Sequence, residues 1–488
     1  MVSMGNFING IWKIGNGEPL ISHSPNNGAI IWEGYNSNEE NINECVSHAT
    51  KALPTWAALD FDKRVSYIQK YVALVKENAD QIAEAISIEI GKPLWEAKTE
   101  VAAIIGKLEP SLSAYKLRNN EITRDLPLGL SRTQFKPIGV VAVIGPYNFP
   151  GHMANGHIIP ALISGNTVIL KPSEKGTMTA EMLMELWDKA RLPNGVINML
   201  QGDGITGKLL VSHKNVNGVF FTGSYSVGEK ILKECGSEKM CALEMGGNSP
   251  LIVWDSRNID ATVLATIQSA FITAGQRCSS ARRVIIPMNT FGDTFINRLV
   301  DISKNISIGK YTDIPEPFYG SLRSHTMVDE LLKDQENLIA LGGVPLLKSK
   351  RLPIGDCFVS PGIIDITSIQ NKPDNELIAP FIKIIRVKTF SEAIEEANNT
   401  GYGLAAGVFT EDKSLYNEFA FKIRAGIINW NQQLTGAVGT APFGGIKKSG
   451  NYRPSGYLAV DYCVYAVASI EVEKITMPTV IPQGIKGL

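Results

Sequence analysis

The sequence predicts an α/β protein built on two sheets of largely parallel strands, and three observations carry this. The chain has 488 residues, and at about 100–200 residues per domain it holds two or three domains. From about 138 to 245, short β-branched runs ("IGVVAVIG", "TVILK", "GVINML", "GVFF", "CALEM") alternate with helical patterns. The same alternation resumes after 246 with "PLIVW", "RRVIIP", "IKIIRV", "GLAAGVF" and "AGIINW". Strands that lack polar alternation are buried on both faces, and strand–helix–strand spacing makes parallel βαβ units.

The elements follow in order. Residues 42–107 carry charged and apolar side chains at three- and four-residue spacing, which predicts helices. The polar segment "NNEITRDLPLGLSRTQFKPIG" alternates as an exposed strand would, and "YCVYAVASIEV" near the other end is a further strand. Neither has a neighbour in the two α/β sets, so they pair with each other or across subunits. Helices are read at 177–190, 227–235, 261–273, 291–303 and 391–399. The two α/β units meet near 244–250, where "EMGGNSP" breaks the pattern.

Composition excludes several functions. A formal net charge of −1, from 47 basic and 48 acidic residues, gives no bulk field toward nucleic acid or an anionic membrane. No apolar run approaches the roughly 20 residues of a membrane helix, and "MVSMGNFINGIWKIGNG" lacks the pattern of a secretory signal. The six cysteines form no CxxC pair and the six histidines no ligand spacing. The expectation is a protein of the reducing cytoplasm with neither disulfides nor a metal.

Four stretches carry possible chemistry. "FFTGSYSVGEK" ends a strand and surrounds a helix start with Gly223, Ser224 and Gly228. The free N–H groups there suit a pyrophosphate, although an ordinary βα turn has the same look and no G-x-G-x-x-G is present. In "KPSEKGT", Lys171 and Glu174 follow a parallel strand, where they can hold ribose hydroxyls or simply open a solvated helix. A carboxylate at that point repels a 2′-phosphate and favours NAD over NADP. In "GPYNFPGH", Asn148 sits in a loop stiffened by prolines, an oxyanion donor or a local turn former. In "ALEMGGNSP" and "AGQRCSSARR", Glu244 ends an apolar strand and Cys278 follows one strand and one helix later. Taken singly, Glu244 is a base or a backbone partner, and Cys278 is a nucleophile or buried filler. Neighbouring arginines favour the thiolate.

Read together, "GPYNFP", "KPSE", "FTGS…G", "EMGGNSP", "GQRCSS" and "PFGGIKKSG" resemble the NAD(P)-dependent aldehyde dehydrogenase superfamily, over nearly the whole chain. "YNFPGH…NGHIIPAL" and "APFGGIKKSGNYRPS" are similar to the branch that oxidises an N-succinylated glutamate semialdehyde. The resemblance implies a Rossmann-like NAD domain over 1–119 and 138–245 and a catalytic α/β domain over 246–448. A small β extension, 120–137 with 449–488, would serve assembly into homodimers or homotetramers. It makes Cys278 the nucleophile, Glu244 the general base and Asn148 an oxyanion donor. Lys171 and Glu174 would hold the adenosine ribose of NAD, Gly223, Ser224 and Gly228 the pyrophosphate, and Glu376 the nicotinamide ribose. At Glu376 the chain departs from the family, with Ile378-Ala379 where Phe-Gly is usual. A doubly carboxylated aldehyde calls for fork-shaped donors, for which Arg277, Arg453, Ser279 and the loop at Gly436 and Ala437 are candidates. Arg282 and Arg283 are read as structural.

Overall fold

The computed structural model of the chain describes residues 3–127, 129–436, 438–478, 480–485 and 487. Five helices, Glu39–Ala58, Phe61–Glu77, Ala79–Ile90, Leu94–Ile105 and Leu108–Arg118, fill the segment whose periodicity predicts helix. The first sheet has seven strands. Its spatial order is Met240–Met245, Gly218–Gly223, Val140–Ile144, Thr167–Lys171, Ile197–Met199, Asn6–Ile8 and Ile11–Lys13. The first five are parallel, whereas Asn6–Ile8 joins antiparallel through Phe7 opposite Met199. Two three-residue strands are too short to show a period, so this edge is invisible in the pattern.

Successive residues of one strand serve opposite cores. Val141 and Val143 pack into one apolar cluster, while Val140, Ala142 and Ile144 pack into the other. That is why "VVAVI" lacks polar alternation: each fully buried Val or Ile contributes about 1.5–3 kcal/mol whichever way it points.

The second sheet also has seven strands, ordered Val344–Leu347, Gly362–Asp365, Phe381–Val387, Ala281–Pro287, Ser249–Val253, Ala405–Phe409 and Ile427–Trp430. Only Val344–Leu347 is antiparallel. Gly246, Gly247 and Asn248 alone connect the two sheets, between Met245 and Ser249. The segments without a place in either sheet find each other: Val464–Glu471 pairs antiparallel with Gly129–Pro137, which also pairs with Ile122–Leu126. Among the described residues, no helix is long and apolar enough to cross a membrane.

The carboxyl ends of Val140–Ile144, Thr167–Lys171, Gly218–Gly223 and Met240–Met245 lie in register at one edge of the first sheet. Open α/β sheets bind ligands at that edge.

Candidate active site

A cavity of about 940 Å³ opens at this edge and reaches the second sheet. Asn148, Lys171, Glu174, Gly223, Ser224, Glu244, Arg277, Cys278 and Glu376 all line it, although they come from six separate stretches of chain. Gly228, Ser279, Gly436 and Arg453 are not among the lining residues. Ala437 lies outside the described residues.

Cys278 owes its position to an unusual backbone. The helix Ile259–Phe271 ends in a 3₁₀ turn, Ile272–Gly275, in which Thr273, Ala274 and Gly275 have φ of 58°, 51° and 71°. Left-handed Thr and Ala store strain, which surrounding contacts must hold. A Cβ on Gly275 would stand 2.1 Å from the Ala379 carbonyl oxygen, so only glycine fits. Arg282 ties the same region together, donating to the carbonyls of Ala379 (3.0 Å) and Arg277 (3.1 Å). Arg283 donates to the carbonyls of Asn248, Glu396 and Ala397. Both arginines are structural, as their sequence context indicates.

Arg277 does less for the thiol than its neighbourhood in sequence suggests. Its Nη2 pairs with Glu96 Oε1 at 2.8 Å, its Nε donates to Thr273 Oγ1 and its Nη1 to the Thr435 carbonyl. Burial, followed by the charges of Glu244 and Glu376, pushes the Cys278 thiol up to about 12, and Arg277 opposes this only weakly. The help that Arg277 was expected to give the thiolate is therefore small. A guanidinium already paired with a carboxylate has little field left to give.

Asn148 follows the strand Val140–Ile144, and its Nδ2 donates to the Gln276 carbonyl at 2.7 Å. That bond fixes the amide plane beside the cysteine loop and uses one of its two N–H groups. Gln276, which the sequence reading missed, is itself locked through Thr273, Ser321 and Arg323.

Glu244 lies in the strand Met240–Met245 with 2% exposure. Its Oε1 accepts the Ser455 N–H at 3.1 Å, while Oε2 is buried without a partner. Burial pushes the carboxyl up to about 7, against the Ser455 bond and the Lys107 ammonium. A carboxyl with one free oxygen and a value near neutrality can exchange a proton at physiological pH. Ser455 lies 211 residues away and carries no local sequence signal.

At the nucleotide-binding edge, Lys171 is buried, donates to the Gly202 carbonyl at 2.6 Å and is pushed down to about 8 by burial. Glu174 stands three residues beyond that strand end, with the Ser173 hydroxyl 3.4 Å from its Oε2. The helix Tyr225–Cys235 begins at Ser224, whose side chain makes no capping bond, so the first-turn N–H groups are free for an anion. Gly228 has a packing role: a Cβ there would come 2.4 Å from Met245 Sδ, so its absence lets the helix lie on the sheet. Glu376 Oε1 accepts the Gly247 N–H at 3.2 Å, and a Cβ on Gly246 would collide with its carboxylate. Burial pushes the Glu376 carboxyl up to about 7.

Lys171, Glu174 and Glu376 offer groups that could hold ribose hydroxyls, and the uncapped start of Tyr225–Cys235 offers N–H groups that could hold a pyrophosphate.

Known proteins agree with this geometry. Residues 12–467 match the model of the aldehyde dehydrogenase family. The chain is 44% identical to the N-succinylglutamate 5-semialdehyde dehydrogenase of Ectopseudomonas mendocina (strain ymp), covering 98% of this chain and 99% of that one. It is 43% identical to the enzyme of the same name from Paraburkholderia xenovorans (strain LB400), with the same coverage. Betaine aldehyde dehydrogenase from Staphylococcus aureus, solved in complex with NAD+, superposes with a TM-score of 0.92 at 25% identity, over 99% of this chain and 97% of that one. The cysteine, the half-satisfied glutamate and the pinned asparagine open together on one cavity, and the chain is an enzyme that belongs to the aldehyde dehydrogenase family.

Proposed function

We propose that the chain oxidises N-succinyl-L-glutamate 5-semialdehyde to N-succinyl-L-glutamate with NAD, as a step in arginine breakdown. The observation that carries the chemistry is one cavity lined by Cys278, Glu244 and Asn148 and also by Lys171, Glu174 and Glu376. The 43–44% identity to two enzymes of that name supports the substrate.

Cys278 Sγ attacks the aldehyde carbon. The proton of its thiol leaves to solvent, so that the sulfur attacks as the thiolate and the Glu244 carboxylate stays ionised for the later step. The free N–H of Asn148 and the Cys278 backbone N–H hold the resulting oxyanion. Bound NAD supplies the acceptor for the hydride that leaves the tetrahedral carbon. A thioester then remains on Cys278. Glu244 takes a proton from a water that attacks it, the C–S bond breaks, and the acid departs with the thiol restored. Lys171, Glu174 and Glu376 hold the ribose hydroxyls, and the start of Tyr225–Cys235 holds the pyrophosphate.

The first sheet with its N-terminal helices acts as the nucleotide domain and the second as the catalytic domain. The three-stranded sheet of Ile122–Leu126, Gly129–Pro137 and Val464–Glu471 joins subunits of a dimer or tetramer in the cytoplasm. Steady-state kinetics with N-succinylglutamate 5-semialdehyde, glutamate 5-semialdehyde and an aliphatic aldehyde, each with NAD and NADP, tests the reading. The highest kcat/KM is expected for the first with NAD; a higher value for either other aldehyde rejects the substrate.

A further inference from the structure

Arg277 and Lys171 line the cavity, Lys92, Arg282 and Lys107 lie outside its lining, and four of these five cations are occupied. Arg277 pairs with Glu96 and Lys92 with Glu100 at 2.6 Å. Arg282 is used on backbone carbonyls, and Lys171 donates to Gly202. The fifth is Lys107, whose side chain makes neither a hydrogen bond nor an ion pair among the described residues.

Lys107 is the N-cap of the helix Leu108–Arg118, and its carbonyl accepts the Ser111 hydroxyl at 2.8 Å and the Ser111 N–H at 3.3 Å, so its backbone is fixed. Its Nζ and Cε lie against the helix His152–Ile163, 3.6 Å from where a Cβ on Gly156 would stand. Among charged groups it acts most strongly on the Glu244 carboxylate, although neither Lys107 nor His152 is among the residues that line the cavity. His152, on the same facing helix, has a buried Nδ1 without a partner, and Lys107 is the cation that acts on it most. Gly156 stands one turn from His152, so the unpaired ammonium and the unpaired ring nitrogen belong to one face of that helix.

The helix that begins at Lys107 also forms a wall of the approach. A Cβ on Gly439 would stand 3.3 Å from Pro110, and Ser113 Oγ lies 3.1 Å from Tyr457 Oη. The segments that carry Gly436 and Arg453 thus lean on its outer turns, with Lys107 at the inner end. Holding an unpaired, half-buried ammonium costs free energy unless an anion meets it. Glu244 is not that anion, since it lies beyond ion-pair distance.

We infer that Lys107, with His152 Nδ1 beside it, is the receptor for a carboxylate of the aldehyde substrate, the group that separates carboxylated from neutral aldehydes. This rests on the proposal that the substrate is a carboxylated semialdehyde. A charge-assisted hydrogen bond in such a site is worth about tenfold to a hundredfold in binding.

The test is the ratio of kcat/KM for N-succinylglutamate 5-semialdehyde to that for hexanal, in the parent, Lys107→Met, Lys107→Gln and Lys107→Arg. Succinate semialdehyde is run beside them as a second carboxylated aldehyde. The ratio is expected to fall about 30-fold in Met and Gln, mainly through KM, and to recover in part in Arg. The inhibition constant of N-succinylglutamate should rise in parallel. A ratio that stays within twofold in either neutral variant, or equal losses on both aldehydes, overturns the inference. The parent alone tests the substrate reading: if it favours succinate semialdehyde while the variants lose that preference, the substrate is wrong and Lys107 still stands.

Discussion

Arg277 and Glu96 form a buried ion pair at 2.8 Å immediately beside Cys278, with Glu96 wholly buried and Arg277 also 5.1 Å from the face of Phe149. The pair holds the cysteine loop rather than charging the sulfur. Removing one partner leaves the other's charge buried, so Arg277→Met is expected to destabilise the fold by about 3–5 kcal/mol. Urea unfolding of the variant measures this. The double change Arg277→Met with Glu96→Gln should recover much of the loss.

Asn148 gives one N–H to Gln276 and keeps the other free, the one proposed to hold the oxyanion. Asn148→Ala should lower kcat by roughly a hundredfold or more, since one oxyanion donor is worth about 3–4 kcal/mol. NAD affinity, read by fluorescence titration, should barely change. Normal turnover in this variant would remove Asn148 from the mechanism.

Glu244 has a carboxyl near 7, and only its ionised form accepts protons. The steady-state rate should therefore rise with pH through about 7. Glu244→Gln should give a single burst of NADH in stopped flow and then stall, because the thioester forms without being hydrolysed.

The same shift has a sign for stability. The folded value lies above the ordinary carboxyl value, so the native state holds the proton more tightly, and the stability this gives is lost as pH rises from about 4.5 to 7. Glu244→Gln should thus gain thermal stability relative to the parent at pH 8 and little at pH 4.5. Differential scanning calorimetry at both pH values checks this.

Gly275 has φ +71° and no room for a Cβ against Ala379. Gly275→Ala must displace the cysteine loop, so kcat measured by steady-state kinetics should fall at least tenfold.

Much of this was legible in the residues. Strands such as Val140–Ile144 declare themselves because both faces are buried, and the motif order led to Cys278, Glu244 and Asn148. What stayed hidden depends on distance along the chain or on local strain. Ser455 meets Glu244 only through the tertiary fold, and a left-handed Thr273-Ala274 pair has no compositional mark. Arg277 illustrates the opposite error: proximity in sequence suggested an activating charge, but Glu96, 181 residues away, takes it. Lys107 reads as one more solvated lysine in a helical stretch until its surroundings are seen.

The Ser455–Glu244 bond also sets an order of events during synthesis. A growing chain that has passed residue 278 already contains the thiol and the carboxylate, and the first sheet is complete in sequence by Met245. The amide that orients Glu244 is made far later, shortly before Val464–Glu471 closes on Gly129–Pro137. Contacts of such separation form late because long loops must close first. The orientation of Glu244 therefore waits until residue 455 has been made, long after the strand that carries the carboxylate.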